Sequence, residues 1–182
     1  MNEPNLSGGV EIDPGELKHP TLAFLRSWWD EKRHGRRMPA RADINPSEFK
    51  HHLTWLMTLD VLEGGRDFRH RIVGDDIAHY FAWNPTGKTV TEAFATQPPS
   101  LTDVVLAIYR DVVAKRVPVY AFGDVGWAGK NIERCEALHL PISGEGDSVG
   151  MILSAFVFDR REVRIAREIA KANDGRLIAR GA

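Results

Sequence analysis

The stretch from Asn131 to Phe158 constrains the fold more than any other part of the chain. Two runs rich in strand-forming residues flank a short turn, Gly144 to Asp147, which is the pattern of an antiparallel hairpin with a glycine-containing loop. The second run, Val149 to Phe158, carries no charged residue. A strand that is apolar at almost every position is buried on both faces. We therefore expect a central strand with a covering layer on each side of its sheet.

Other stretches predict the neighbours of that central strand. Runs of strand-forming residues bounded by turn residues indicate strands at Leu53–Leu62, Asp67–Val73 and Val119–Asp124. Three short to medium helices are predicted between the second and third of these strands, and Ser100 is expected to cap the longest, with Asp103 completing a capping box. Five strands split two and three around a helical middle predict an α+β domain. Its sheet should be five-stranded and antiparallel, with the helical middle on one face.

The first predicted helix, Pro20 to His34, is amphipathic and rich in aromatic residues. Pro20 suits the first helical turn, and Gly35 can end the helix in a left-handed conformation. Its apolar side carries Leu22, Phe24, Leu25, Trp28 and Trp29. Such a helix needs a partner surface, which is either the second face of the sheet or the same helix in a second subunit. The candidate interface residues are Phe24, Leu25, Trp28 and Trp29.

These elements divide the chain into three parts. Residues 1–18 hold several glycines, prolines and acidic residues, and we expect a flexible lead-in. Residues 19–160 should form the domain together with its N-terminal helix. Residues 161–182 are expected to hold a charged amphipathic helix, Glu162 to Ala172, and a tail.

Composition excludes several classes of function. The formal net charge is -1, so nothing global directs the protein to nucleic acid or to an anionic membrane. No apolar run is long enough to span a bilayer, and the N-terminus lacks the basic start and apolar run of a signal peptide. The single cysteine, Cys135, excludes an intramolecular disulfide. Together these observations predict a cytoplasmic protein.

Five stretches, in order along the chain, resemble a known family. They are R-R-M-P-A-R-A-D-I-N-P (36–46), L-D-V (59–61), F-R-H-R-I-V-G (68–74), N-P-T-G-K (84–88) and L-H-L-P-I-S (138–143). Together they are similar to the single-domain PAS proteins common in alphaproteobacteria. The resemblance implies a signalling module that senses a small ligand or docks onto regulators such as histidine kinases, without an attached catalytic domain. We expect such a protein to form a homodimer.

A module of this kind would hold its ligand in a cavity between the sheet and the helices. Candidate lining residues are Trp55, Met57, Arg71, His79, Tyr80, Trp83, Ile108, Tyr109, Tyr120 and Arg134. Arg71 and Arg134 stand in strands with apolar neighbours, so each is expected to be partly buried and to need a partner. That partner is Asp60 or Glu136, or an acidic ligand in the cavity.

We interpret the stretches that resemble cofactor-binding or catalytic motifs as structural features. N-P-T-G-K-T (84–89) looks like the tail of a phosphate-binding loop, but Ala82 stands where the motif needs glycine, so we interpret it as a turn. Cys135 and His139 lie about 13 Å apart along a strand, too far to share a metal ion. Cys135 also lies outside the helical motif that flavin-sensing PAS domains use. Haem is not expected, with His79 as its one loose candidate. We predict no catalytic residue and no metal site, and the cofactor stays unknown.

Two alternatives stand beside the sensor hypothesis. One is a ligand-free, dimerising adaptor that works through Trp28 and Trp29 on an exposed helix face. The other is a small α+β enzyme that uses His79 or His139 with an acidic residue, although no motif fixes their geometry.

Overall fold

The sheet expected from the hairpin is present in the computed structural model, which describes residues 6–10, 16–81, 83–123 and 132–160. The strands of the described residues are β1 (Leu6–Val10), β2 (Leu56–Leu62), β3 (Asp67–Val73), β4 (Val119–Gly123), β5 (Ile132–Ser143) and β6 (Val149–Arg160). The helices are α1 (Pro20–Lys32), α2 (Asp75–Phe81), α3 (Val90–Ala93) and α4 (Pro99–Lys115). Short 3-10 turns occupy Arg41–Asp43, Pro46–Phe49 and Leu53–Trp55.

All neighbouring strands of the sheet pair in antiparallel fashion, in the order β1-β4-β5-β6-β2-β3. The charge-free strand β6 lies between β5 and β2, which confirms its predicted central position. The five predicted strands are confirmed, and a sixth joins them at the edge. That sixth strand, β1, comes from the segment predicted as a flexible lead-in, and it pairs with β4. The predicted helix Glu162 to Ala172 lies outside the described residues.

Helices cover the two faces of the sheet unequally. Helix α4 packs against β3, β4, β5 and β6 on one face. Helix α1 packs against β5 and β6, and the Trp29 Nε1–H donates to the Pro141 carbonyl oxygen over 2.7 Å. Alternate residues of a strand point to opposite faces, so β5 contributes His139 to one face and Leu138 and Leu140 to the other. The first of the two predicted partners of α1, the second face of the sheet, is therefore the one observed.

Helix α1 follows its sequence prediction closely at the start and less closely at the end. The His19 ring accepts a hydrogen bond from the Thr21 N–H, and Pro20 occupies the first turn. The helix ends at Lys32 rather than His34, because His34 already has a positive φ of 47°. Gly35 follows with a φ of 78°, the left-handed conformation expected of it.

Two predicted boundaries are wrong for local reasons. Helix α4 begins at Pro99, and its N-cap residue Pro98 offers no side-chain hydrogen bond, so the cap predicted at Ser100 is not observed. Strand β2 begins at Leu56 rather than Leu53, because residues 53–55 form a 3-10 turn that places the Leu56 N–H on the Leu53 carbonyl oxygen.

Candidate functional site

A cavity of about 90 Å³ lies between the sheet and helices α2 to α4. Its sheet wall consists of Met57, His70, Ala121, Phe122, Gly123, Cys135, Ala137, His139 and Phe156. Its other wall consists of residues from α2, from α4 and from the segments between the helices: Ile77, Phe81, Trp83, Pro85, Phe94, Val105, Ile108 and Tyr109. Val105, Ile108 and Tyr109 share one face of α4 because they stand at i, i+3 and i+4. Among the residues that the structure describes, the wall carries no Asp, Glu, Lys or Arg.

His70 enters the cavity wall from the edge strand β3. Its side chain is buried, and its Nδ1 lies 2.9 Å from the Lys88 carbonyl oxygen. A carbonyl can only accept, so Nδ1 carries the hydrogen, and the remaining nitrogen, Nε2, is an acceptor in the neutral ring. Burial lowers the pKa of His70, which favours that neutral ring. The loop around Gly87 and Lys88 fixes the strand as well, through backbone bonds from His70 to Lys88 and from Gly87 to His70.

His139 enters from β5 and is fully enclosed. Its Nδ1 lies 2.9 Å from the Ser154 Oγ on the neighbouring strand. Its ring meets the edge of Tyr109 at 5.2 Å and that of Phe156 at 5.7 Å between centroids. Burial lowers the pKa of His139 to about 3, so the ring is neutral at pH 7. The described lining residues place no carboxylate beside it in the cavity wall.

Tyr109 and Cys135 add a hydroxyl and a thiol to the wall. Burial raises the pKa of the Tyr109 hydroxyl and of the Cys135 thiol, so both keep their protons. The Cys135 Sγ lies 3.8 Å from the Glu136 carbonyl oxygen. Tyr109 is only 4% exposed, and its ring lies 5.2 Å from the rings of Phe68 and His139 between centroids.

Four of the ten predicted lining residues do line this cavity. They are Met57, Trp83, Ile108 and Tyr109. Trp55 and Tyr80 instead stack on each other at 5.8 Å, and His79 meets the Tyr80 ring edge-on, outside the cavity wall. Whether the four lining residues contact a ligand stays a prediction.

The remaining three lie on the opposite face of the sheet or in solvent. Arg71 and Arg134 alternate with His70 and Cys135, so they point away from the cavity and are 57% and 52% exposed. The prediction that they are partly buried is therefore wrong. They do have the carboxylate partners that were named, Asp60 for Arg71 and Glu136 for Arg134.

Tyr120 belongs to the same outer surface as Arg134. Its hydroxyl donates to the Glu136 carboxylate over 2.8 Å, and burial together with this bond raises the pKa of Tyr120 to about 12. The Arg134 guanidinium lies 5.0 Å from the ring of Phe122. These contacts are structural and lie across the sheet from His139.

Several lining residues were missing from the predicted lining set, among them His70, Cys135, His139 and Phe156. The signal for His70 was present, since it stands two residues from the core residue Phe68 and therefore shares its face of β3. A strict period of two residues would place Ile72 on this face as well, but Ile72 is 61% exposed. The pairing of β2 with β3 shifts register between Thr58 and Leu59, which leaves one extra residue in β3. Beyond that residue, the side chains of β3 point to the faces opposite to those that strict alternation predicts.

The candidate interface residues of α1 pack against other parts of the same chain. Leu25, Trp28 and Trp29 are buried, and Phe24 stacks on His52 at 4.5 Å between ring centroids. Trp28 also donates its indole N–H to Glu48 over 2.8 Å. The exposed aromatic face that the adaptor alternative needs is therefore absent from the described α1.

Three further features of the described residues bear on function. Asn84 accepts the Thr86 N–H and Gly87 has a φ of 85°, so N-P-T-G-K is a turn, as interpreted from the sequence. No three His, Cys, Asp or Glu residues come together as metal ligands within the described ranges. None of the helices in those ranges has the length and apolar character that crossing a membrane requires.

An antiparallel sheet, a helical cover and an apolar cavity between them define an α+β domain with an internal cavity. A sequence model of the PAS domain matches residues 17–157. The chain therefore belongs to the PAS domain family, whose members are signalling and sensory modules and are typically non-enzymatic.

Comparison with solved structures finds the PAS domain of BvgS from Bordetella pertussis. The two chains share 16% sequence identity with a TM-score of 0.49, and the match covers 72% of this chain and 99% of that one. No curated protein sequence matches this chain.

Proposed function

We propose that this protein senses a small molecule held in the cavity, and that a regulatory partner responds to whether the cavity is occupied. The observation that carries the proposal is the apolar cavity of about 90 Å³ between the sheet and the helices. Protein interiors hold few voids larger than a water molecule. A ligand that occupies this space would add packing contacts that the empty cavity lacks.

The strands β5 and β6 supply a route from the cavity to the outside of the domain. His139 faces the cavity, and Pro141, two residues further along β5, accepts the Trp29 indole N–H from α1. A ligand that displaces β5 by a fraction of an ångström would therefore also move α1, which is bonded to β5. The exposed polar side of α1 would then present the signal to a regulator such as a histidine kinase.

Hydrogen–deuterium exchange combined with native mass spectrometry tests this function. Native mass spectra of the purified protein should show a small co-purified molecule that denaturation releases. Refilling the emptied protein with that molecule should slow exchange in β5 and in residues 20–32 together. An absence of any bound or rebinding molecule would overturn ligand sensing. Slower exchange in β5 with unchanged exchange in α1 would overturn the route to α1.

The expected homodimer belongs to the same proposal. Because Leu25, Trp28 and Trp29 are buried within the chain, a dimer would have to use another surface. Light scattering coupled to size-exclusion chromatography should give twice the mass of the chain, which is 20.4 kDa. A particle of the chain mass at micromolar concentration would remove the dimer from the proposal.

A further inference from the structure

Within the described part of the chain, the face of the sheet opposite the cavity, here called the outer face, is open at its β3 end. Met57 lines the cavity, so Thr58 and Asp60 of β2 point to the outer face. Ile72 of β3 pairs with Thr58 and therefore shares that face. Helix α1 packs against β5 and β6, whereas Ile72 is 61% exposed. This end of the outer face is accordingly accessible to a partner.

Two large apolar side chains are exposed at this end of the sheet. Leu53 and Ile72 are the large apolar side chains that the described residues leave exposed. They belong to neighbouring pieces of backbone, because the Leu53 carbonyl oxygen lies beside Gly74, two residues beyond Ile72. Apolar side chains together with arginine are the composition that protein–protein interfaces favour.

Arginine is present beside Ile72, in excess over acid. Arg71 donates its Nε–H to the Asp60 carboxylate, and the Arg41 Nη1 lies 3.6 Å from the same carboxylate. The Asp60 side chain is only 15% exposed, whereas those of Arg41 and Arg71 are 68% and 57% exposed. No hydrogen bond to a described residue occupies the terminal nitrogens of either guanidinium. The cluster therefore presents two cations to solvent above one partly buried carboxylate, with the donors that bind carboxylates still unused.

A second carboxylate is shared by two arginines, and its exposure is reversed. Asp147, in the turn between β5 and β6, pairs with Arg37 and Arg116. The Asp147 side chain is itself 62% exposed, so its negative charge meets solvent beside the two positive charges. The Asp60 cluster keeps its carboxylate beneath the arginines, and this arrangement suits it better to an acidic partner.

From this arrangement we infer that the outer face of β2 and β3 binds a protein surface that presents carboxylates beside an apolar side chain. The apolar side chain would cover Ile72, and the carboxylates would bind Arg41 and Arg71. The two kinds of contact lie about 7 Å apart, since Asp60 and Thr58, the residue opposite Ile72, stand two positions apart on one face. A nucleic acid fits less well, because Ile72 offers nothing to a phosphate backbone and Asp60 repels it.

The inference rests on the proposed function and names the surface and the chemistry of its regulatory partner. His70 lines the cavity, and Arg71 and Ile72 follow it directly on β3. Arg41 belongs to the segment after α1, the helix that is bonded to β5. Two cavity-lining strands, β3 and β5, are thus connected to this surface.

Three hexapeptides with acetylated and amidated ends test the surface on the full chain by NMR titration of its backbone amides. E-E-L-L-E-E offers carboxylates and apolar side chains, E-E-S-S-E-E lacks the apolar part, and K-K-L-L-K-K reverses the charge. E-E-L-L-E-E should shift the amide signals of residues 58–60 and 69–72. It should bind about three- to tenfold more tightly than E-E-S-S-E-E, as expected when a leucine is partly buried. K-K-L-L-K-K should leave these signals unchanged.

Four variants connect the binding to particular residues. Arg71→Gln should weaken binding of E-E-L-L-E-E about two- to fivefold, the range of an exposed ion pair, and Arg41→Gln should do the same without a change in β3. Ile72→Ser should remove the advantage of leucine over serine in the peptide. Arg37→Gln is the matched control at the Asp147 cluster, and it should keep the wild-type affinity. All four positions are exposed, so the variants should fold.

The possible contrary results are distinct. If E-E-S-S-E-E or K-K-L-L-K-K binds as tightly as E-E-L-L-E-E, or if Arg37→Gln weakens binding as much as Arg71→Gln, the inference is overturned. A short DNA duplex that shifts the same signals at a lower concentration than the peptide would overturn the class of partner. An absence of any shift at residues 58–60 and 69–72 would overturn the surface itself. Each of these results leaves sensing in the cavity intact, because native mass spectrometry measures ligand binding separately.

Discussion

At the scale of the residue, the buried imidazole of His139 makes the free energy of unfolding depend on pH. Its pKa in the folded protein is lowered to about 3 by burial, whereas the unfolded value is about 6.5. Below pH 6.5 the unfolded chain binds a proton that the folded protein does not, so stability falls as the pH falls. Between pH 6.5 and pH 5 this amounts to about 2 kcal/mol. His70, whose pKa is also lowered, adds to the loss in the same direction.

Urea denaturation at pH 7 and at pH 5 measures this loss directly. We expect the free energy of unfolding to fall by about 2 kcal/mol or more between the two values. The variant His139→Leu should lose most of that difference, whereas His51→Gln, at an exposed histidine, should keep it. Equal pH dependence in wild-type protein and His139→Leu would show that His139 titrates normally.

Among the glycines that the structure describes, Gly74 has the closest backbone neighbours. A Cβ added there would lie 2.3 Å from the Thr54 carbonyl oxygen, which belongs to the backbone and cannot rotate away. Gly74→Ala should therefore cost about 3 kcal/mol or more in the free energy of unfolding. Gly87→Asn is the control, since Gly87 has open space and a left-handed conformation that asparagine tolerates. A thermal melt that shows equal loss for both variants would contradict this assignment.

At the scale of the element, α1 is a structural part of the domain. Leu22 and Leu25 are fully buried, and Trp29 ties the helix to β5 through Pro141. Leu25→Ala should lower the free energy of unfolding by about 2–5 kcal/mol. Ser27→Ala, two residues away on the exposed side, should leave it within about 0.5 kcal/mol. A helix that served only as a partner face would tolerate both substitutions equally in the isolated chain.

The elements show what the sequence could and could not predict. Strand periodicity and turn residues were enough for β2 to β6, because each of these strands has its own apolar pattern and its own bounding turns. The edge strand β1 was missed, since its sequence L-S-G-G-V is short and glycine-rich and pairs only because β4 offers an open edge. The register shift in β2 was also missed, and it alone decides that Ile72 is exposed.

The candidate site was less predictable than the fold, and the whole molecule explains why. Tyr109 and Ile108 were found because a helical stripe shows which side of α4 faces the core. Arg71, Arg134 and Tyr120 were misplaced because a two-sided strand gives no sign of which face holds the cavity. Which face of the sheet holds the cavity depends on where α1 and α4 pack. A local sequence pattern does not determine the packing between distant segments.

The two faces of the sheet differ in packing, and this difference is the property of the whole molecule that is easiest to test. Ala137 lines the cavity, whereas Ala155 is fully buried on the neighbouring strand and lies on the face covered by α1. Ala137→Leu adds volume where there is space, so its free energy of unfolding should stay unchanged or rise by up to about 2 kcal/mol.

Ala155→Leu adds the same volume to the close-packed face, and it should cost about 1–3 kcal/mol because the neighbouring side chains must leave their preferred rotamers. Urea denaturation of both variants at pH 7 supplies the comparison, with near-ultraviolet circular dichroism to confirm that each keeps its aromatic packing. A similar loss in both would mean that the space beside Ala137 is filled in solution. A gain or no change at Ala137 with a loss at Ala155 would place the available volume on the α4 side of the sheet, where the proposed ligand needs it.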